Sequence, residues 1–278
     1  MPDRQPRAPR PQIVLEVLRR EQLSPHLVRL HLGGEGFDSF APNGFTDAYV
    51  KIHFAKPALG LEPPYDLDAL RETLAPEDLP VRRTYTVRAV DPVERSLAID
   101  FVVHGTEGIA GPWADAAKPG DRLVLAGPGG AYRPDPTADW HLFAGDESAL
   151  PALSSALEAL PAEARGVALV EVHGEGDEIP VTHPAGVELR WLHRGSAVAA
   201  GTSTVLSDAV RGLERPSGRV QVFAHGERET MKALRDIVLT QWGLPRTDVS
   251  LSGYWAYGRT EDRFQAEKRE PIGQILPR

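Results

Sequence analysis

Two rhythms of apolar positions divide this chain. In its first half they come in short runs. Ile13-Val14-Leu15-Glu16-Val17-Leu18 is mainly apolar, while Leu27-Val28-Arg29-Leu30-His31-Leu32 and 48–54 alternate with period two, as half-buried strands do. Gly33, Gly34 and Gly36 mark a turn. Strand patterns resume at 83–90 and 97–103, and again at 122–126 after the Pro119-Gly120-Asp121 turn. Residues 56–80 are polar and Pro-rich, which predicts a long connecting loop with one helical turn around 67–73. About six strands separated by Gly and Pro turns predict an antiparallel barrel.

After about residue 134 the rhythm changes. Apolar runs at 140–144, 167–172, 187–192 and 220–224 alternate with helix-like stretches at 149–160, 203–211 and 229–241, and 249–251 reads as a fifth strand. Strands alternating with helices predict βαβ units and a parallel sheet. The expected fold class is therefore an N-terminal antiparallel β-barrel followed by a doubly wound α/β domain. The limits read as a flexible tail over 1–11, a barrel over 12–134, an α/β domain over 135–262 and a C-terminal tail over 263–278. The seam lies at 134–139, where Pro134 and Pro136 sit in a polar run.

Composition narrows the chemistry. The chain has 278 residues and no cysteine, which excludes disulfides, iron–sulfur clusters and thiolate metal sites. Its nine histidines form no H-E-x-x-H pair, so no metal site is expected. A formal net charge of -8 argues against a nucleic-acid backbone binder. No run approaches the ~20 apolar residues of a membrane span, and the N-terminus does not read as a secretory signal. A cytoplasmic protein without membrane insertion is expected, and nothing demands more than a monomer.

Three segments could carry chemistry. Arg83-Thr84-Tyr85-Thr86, followed by Arg88, offers a guanidinium that can fork onto a pyrophosphate, an aromatic ring for stacking on a flat ring system, and a hydroxyl for a reacting edge. A plain strand is the competing reading. His104-Gly105-Thr106-Glu107-Gly108-Ile109-Ala110-Gly111-Pro112-Trp113-Ala114 follows a strand and opens a short helix near 113–117, a setting in which glycines let backbone approach an anion; a hairpin without a ligand would read the same. Gly145-Asp146-Glu147-Ser148-Ala149-Leu150-Pro151-Ala152 joins a strand to a helix at the carboxyl end of the first parallel strand, where doubly wound sheets bind nucleotides. It is not a G-x-G-x-x-G loop, and Asp146 or Ser148 could simply cap the helix.

Together with Asp47-Ala48-Tyr49-Val50-Lys51, Gly127-Pro128-Gly129-Gly130, Gly226-Glu227 and Ser252-Gly253-Tyr254-Trp255-x-x-Gly258, these segments occur in an order that resembles the siderophore-interacting protein family of FAD-dependent reductases. The resemblance spans roughly 12–262. It implies that Arg83, Thr84, Tyr85 and Thr86 hold FAD, with Tyr85 and Thr86 positioning the flavin for hydride arriving at N5. It implies that Val103, His104, Ala110, Gly111 and Trp113 line the phosphate and adenine side. Asp146, Glu147 and Ser148 would sit at the nicotinamide entrance, His225, Gly226 and Glu227 would continue that pocket, and Tyr254, Trp255 and Gly258 would close over the flavin. The sequence departs from the pattern of many relatives twice. Gly111-Pro112 runs directly into Trp113 without a small hydroxyl residue, and Ala256 stands where an arginine is common.

The implied activity is reduction of a ferric siderophore or other Fe(III) chelate by NADPH or NADH through FAD, with release of Fe(II). Lys51, Arg246 and Arg259 are the candidate contacts to an anionic chelate, and Arg194 a candidate for a nucleotide phosphate. Two rivals remain: a flavin, quinone or other acceptor reductase of the same ferredoxin-reductase-like superfamily, and a siderophore-binding protein without turnover.

Overall fold

The structure is a computed structural model that describes residues 11–106 and 108–276. Residues 1–10, most of the expected N-terminal tail, lie outside the described residues.

Six strands form the first half: β1 (Ile13–Ser24), β2 (Leu27–Gly33), β3 (Tyr49–Phe54), β4 (Val81–Asp91), β5 (Ser96–Val102) and β6 (Arg122–Gly129). They close into a barrel in the order β1-β2-β5-β4-β3-β6, with antiparallel pairing throughout. The period-two pattern explains the closure. Leu15 and Val17, Leu30 and Leu32, Val50 and Ile52, Ile99 and Phe101, and Leu123 and Leu125 all point inward and are buried. Each such side chain contributes about 1.5–3 kcal/mol on burial. Strand β1 runs six residues beyond its apolar start. Its polar half, Arg19 to Gln22, pairs with β2 and keeps its charged side chains outward, with Arg19 on Glu21 at 3.0 Å. A polar run on the solvent face of a hairpin carries no alternation to reveal it.

Helix α1 (Leu67–Thr73) lies in the long connection, as the pattern predicts, and helix α2 (Ala110–Ala116) follows β5. Strand β4 changes partner along its length. It pairs with β3 over Val81–Thr86 and with β5 only from Val87 onward. Arg83–Thr86 therefore have a strand on one edge and none on the other.

The second half is a parallel sheet of β7 (Trp140–Asp146), β8 (Gly166–Val172), β9 (Val187–His193), β10 (Val220–Glu227) and β11 (Val249–Trp255) in the order β11-β10-β7-β8-β9. Helices α3 (Leu150–Glu158), α4 (Val205–Arg211) and α5 (Arg228–Arg235) alternate with the strands, and α5 continues as a π-helical turn over Asp236–Gln241. Strand order reverses between β7 and β10, which makes their carboxyl ends the switch point of the sheet.

The two halves are bolted together. Arg88 forks onto Glu158 of α3, with contacts of 2.9 and 2.5 Å, and Ser155 Oγ donates to the Arg88 carbonyl at 2.9 Å. Arg88 thus serves the domain interface. Tyr132 packs its ring 4.4 Å from that of Phe223. No helix among the described residues is long and apolar enough to cross a membrane.

The segment expected as a tail from 263 is structured as far as it is described. Helix α6 (Glu261–Glu267) buries Phe264 to 1% exposure, and Ile275 joins the core of the parallel sheet. Glu267 ties this segment down by accepting from Arg228 at 2.5 Å, Arg259 at 2.8 Å and Arg263 at 3.0 Å. Two anchors set eleven residues apart among charged neighbours leave no periodic signal, so the stretch reads as polar. Phe264→Ala should cost about 3 kcal/mol of stability, measured by urea unfolding; a loose tail would show no change.

Candidate functional site

A cleft of about 690 Å³ runs between the unpaired edge of β4 and the carboxyl ends of β7 and β11. That is a size suited to a cofactor. On the barrel side it is lined by Arg83, Thr84, Tyr85 and Thr86. Strict alternation would show the cleft only one face of the strand. All four residues reach it because no neighbouring strand covers that edge. Val103 and His104 extend the wall.

The Arg83 side chain is 16% exposed. Its guanidinium donates to the Arg82 carbonyl at 2.9 Å, and its carboxylate partner, Asp262, is 3.3 Å away and 71% exposed. A half-sheltered cation with so loose a partner is well disposed toward an anion. Tyr85 lies against Phe101 with ring centroids 4.4 Å apart, and burial pushes its hydroxyl pKa up, so it stays protonated.

On the other side Asp146, at the end of β7, acts as a knot. Its Oδ1 accepts from the Ser148 N–H at 2.9 Å and the Ser148 hydroxyl at 2.5 Å. Its Oδ2 accepts from the Glu227 N–H of β10 and from Trp255 Nε1 of β11, both at 2.9 Å. The carboxylate therefore reaches across three strands, and α3 begins without any side-chain cap. Gly226 makes the approach possible. Its φ is 151°, and a Cβ there would lie 2.7 Å from Asp146 Oδ2.

Beside this knot lies an acidic pocket. Glu147 pairs with Arg194 at 2.7 Å, and Glu171 lies 3.9 Å from the same guanidinium. Arg194 lines the cleft, but its charge is met by a carboxylate rather than left open for a phosphate. Burial raises the pKa of Glu147 despite Arg194. Burial, with the nearby Asp146 charge, pushes Glu171 up to about 7.

Tyr254 lines the cleft together with Thr86. Behind it stands His225, whose Nδ1 lies 3.0 Å from the Tyr254 hydroxyl and whose Nε2 lies 3.0 Å from Ser250 Oγ. Burial, helped by the Lys268 charge, pulls its pKa down to about 3, so the ring is neutral and fixes Tyr254 by hydrogen bonding.

A cationic group stands at the outer end. Lys51 bonds Thr84 Oγ1 and sits 5.5 Å from the Tyr49 ring centroid. Burial, then the charges of Arg82 and Lys268, lower its pKa. Lys268 lines the same cleft and is lowered by burial too. It was not among the sequence candidates because it lies in the stretch read as a tail.

Not every candidate comes to the cleft. Ala110, Gly111 and Trp113 pack under it. A Cβ at Gly111 would lie 2.9 Å from the Val102 carbonyl, so glycine serves the approach of α2 to β5. Trp113 meets Phe54 at the barrel core, with centroids 5.5 Å apart. His225, Gly226 and Glu227 form a layer behind the lining residues; Glu227 caps α5 by accepting from the N–H groups of Glu229 and Thr230. Gly258 turns the chain after β11 with φ 67°. Arg259 lines the cleft while paired to Glu267. Arg246 lies at the amino end of β11, opposite the cleft, where it donates to the Val249 carbonyl at 2.8 Å; it cannot join Lys51 and Arg259 in one rim.

The family model described as siderophore-interacting FAD-binding domain matches residues 16–132, and the one described as siderophore-interacting protein matches residues 138–258. The chain is 36% identical to the ferric vibriobactin reductase of Vibrio cholerae, over 92% of this chain and 93% of that one. The chain belongs to the siderophore-interacting protein family. Within that family, the NADPH-dependent ferric-chelate reductase of Escherichia coli is 33% identical over 87% of this chain and 91% of its own. A siderophore utilization protein from T. fusca superposes with a TM-score of 0.79 at 37% identity, covering 91% of this chain and 95% of that one. The barrel is accordingly an FAD-binding domain, and the chain is a flavin-dependent oxidoreductase with a ferredoxin-reductase-like fold.

The buried acidic pocket can be tested apart from any cofactor. Burial in the folded state pushes the pKa of Glu171 up to about 7, against 4.5 in the unfolded chain. The folded state binds the extra proton across that window, so its stability falls as pH rises through it. Glu171→Gln, which cannot ionise, should exceed the parent protein by about 1–2 kcal/mol in urea unfolding at pH 8, and the gap should shrink toward zero at pH 5.

Proposed function

We propose that this protein reduces an Fe(III) chelate of the siderophore class with electrons from NADPH or NADH by way of bound FAD, and so releases iron as Fe(II) in the cytoplasm. The observation that carries the proposal is the continuity of the cleft. One space joins the open edge of β4 to the switch point of the parallel sheet. A flavin beside Arg83–Thr86 and a nicotinamide above Asp146 and Ser148 would therefore share a single compartment.

The residues present suit a flavin dinucleotide. Arg83 would fork onto the pyrophosphate, and the unpaired edge of β4 would offer backbone groups to the ring system. Thr86 and Tyr254, both lining the cleft, the latter backed by neutral His225, would hold the reacting edge with hydroxyls. Bound flavin supplies the conversion between a two-electron donor and one-electron steps. The protein supplies position and field, and no side-chain acid or base is required of it. Asp146, tied to the ends of β10 and β11, would keep the floor fixed where a nicotinamide binds.

The cationic rim bears on the acceptor. The whole chain carries a formal charge of -8, yet Lys51 and Lys268 line the outer cleft, and burial first, then the charges of Arg82 and Lys268, lowers the pKa of Lys51. An anionic chelate would relieve that repulsion. Fe(II) is held less tightly than Fe(III) by hard oxygen donors, which would favour release.

Anaerobic stopped-flow measurement tests the reading. The purified protein with FAD should bleach on mixing with NADPH or NADH. It should then recover its colour on addition of a ferric hydroxamate or catecholate while a ferrous-specific dye reports Fe(II). Bleached protein that passes electrons to a quinone but not to any ferric chelate would overturn it. Arg83→Ala should weaken FAD binding about tenfold to a hundredfold, read by the fluorescence of released flavin. Lys51→Ala should raise KM for an anionic chelate about fivefold, while leaving the bleaching rate with nicotinamide unchanged.

A further inference from the structure

The hairpin between β1 and β2 presents His26 to the segment after β8, which carries His173 and Asp177. One nitrogen of each imidazole and one carboxylate oxygen of Asp177 lie within 4.8 Å of one another. His26 Nδ1 is 2.9 Å from Asp177 Oδ1 and 3.0 Å from Oδ2, and the two imidazole rings meet edge to face at 5.0 Å. Asp177 is 5% exposed, and neither Lys nor Arg pairs with it among the described residues. Among those residues, too, the imidazole of His173 has no hydrogen-bonding partner. A buried carboxylate without a firm cation thus faces an imidazole without a partner.

We propose that His26, His173 and Asp177 form a binding site for a divalent first-row transition cation, which clamps the barrel to the parallel-sheet domain. Two imidazoles and one carboxylate suit zinc, cobalt, nickel or ferrous iron, whereas calcium and magnesium prefer all-oxygen shells. Donors on a tetrahedral ion of this kind stand about 3.3 Å apart, following from metal–ligand distances of about 2.0–2.1 Å. The His26–Asp177 edge already has that length within a few tenths of an ångström, so only His173 has to close in. Asp177 is also held by outer contacts: the Ser24 hydroxyl donates to its Oδ1 at 2.9 Å and the His26 N–H at 3.3 Å, the kind of support that orients a metal-binding carboxylate. Both imidazoles are half-buried, which leaves the remaining positions to water. His26 also lines the cleft, so the clamp sits on its wall.

The site does not rest on the reduction proposed above, and its test needs neither flavin nor chelate. Untagged full-length protein, stripped with a chelator, is titrated with Co2+ while its visible absorption is followed, and with Zn2+ by calorimetry. One equivalent should bind, Zn2+ should displace Co2+, and Zn2+ should raise the thermal midpoint. His173→Phe keeps the ring contact and the His26–Asp177 bond but removes the donor nitrogens. It should weaken binding by at least about tenfold, while the metal-free thermal midpoint stays within about one degree of the parent. Asp177→Asn should lose the Zn2+-induced rise. Failure to saturate near one equivalent, or His173→Phe binding as tightly as the parent, would overturn the proposal and leave a hydrogen-bonded latch between domains.

Discussion

One carboxylate organises the site. Asp146 accepts four hydrogen bonds, two within its own turn and one each from the ends of β10 and β11. Parallel strands ordinarily splay apart at a switch point, and that separation opens the crevice. Here the splay is limited from beneath. Glu227, Trp255 and Ser148 are held to the same two oxygen atoms, so the floor of the cleft has a set width. A buried carboxylate is expensive unless its lone pairs are met; with four donors, Asp146 meets that condition without a cation. Asp146 therefore positions the floor of the cleft.

The cleft is electrically divided along its length. Glu147, Glu171 and Asp146 stand at the inner end, where a single arginine, Arg194, lies among them and burial raises two of the three pKa values. Lys51 and Lys268 stand at the outer end and are depressed by burial. At each end the pKa shifts record charge held out of water, acidic at the inner end and cationic at the outer. The outer end thus presents two lysines to the cleft, and the inner end presents carboxylates with one arginine among them. A net charge of -8 alone would repel anionic ligands everywhere.

Much of the fold was legible because barrel and sheet have distinct apolar periods, and both appear in the chain at 27–32 and 167–172 alike. The strand bearing Arg83, Thr84, Tyr85 and Thr86 was legible as a group; its alternation was misleading about exposure, because the missing β5 partner is a fact of pairing between residues far apart. Gly111 reads as an anion-loop glycine, yet a carbonyl of β5 demands it. Arg246 and Arg259 look equivalent in sequence, but β11 lies between them and carries their side chains to opposite ends of the sheet. Lys268 and Phe264 were hidden by the charged residues around them. In each case the missing information was long-range, and no local pattern encodes it.

The closing segment shows what such long-range contacts accomplish. Val81–Thr86 offers a strand edge without a neighbouring strand, which would invite pairing with another chain if left bare. Phe264, Gln265 and Lys268 line the same cleft from α6 and beyond it, while Glu267 moors that helix to Arg228 and Arg259. The C-terminal helix thus stands at the cleft with the exposed edge, forming a wall where a further strand would have closed the space. A strand would have consumed the backbone groups of β4. A helix placed across the cleft leaves them available, and so shelters the edge without spending its capacity to bind.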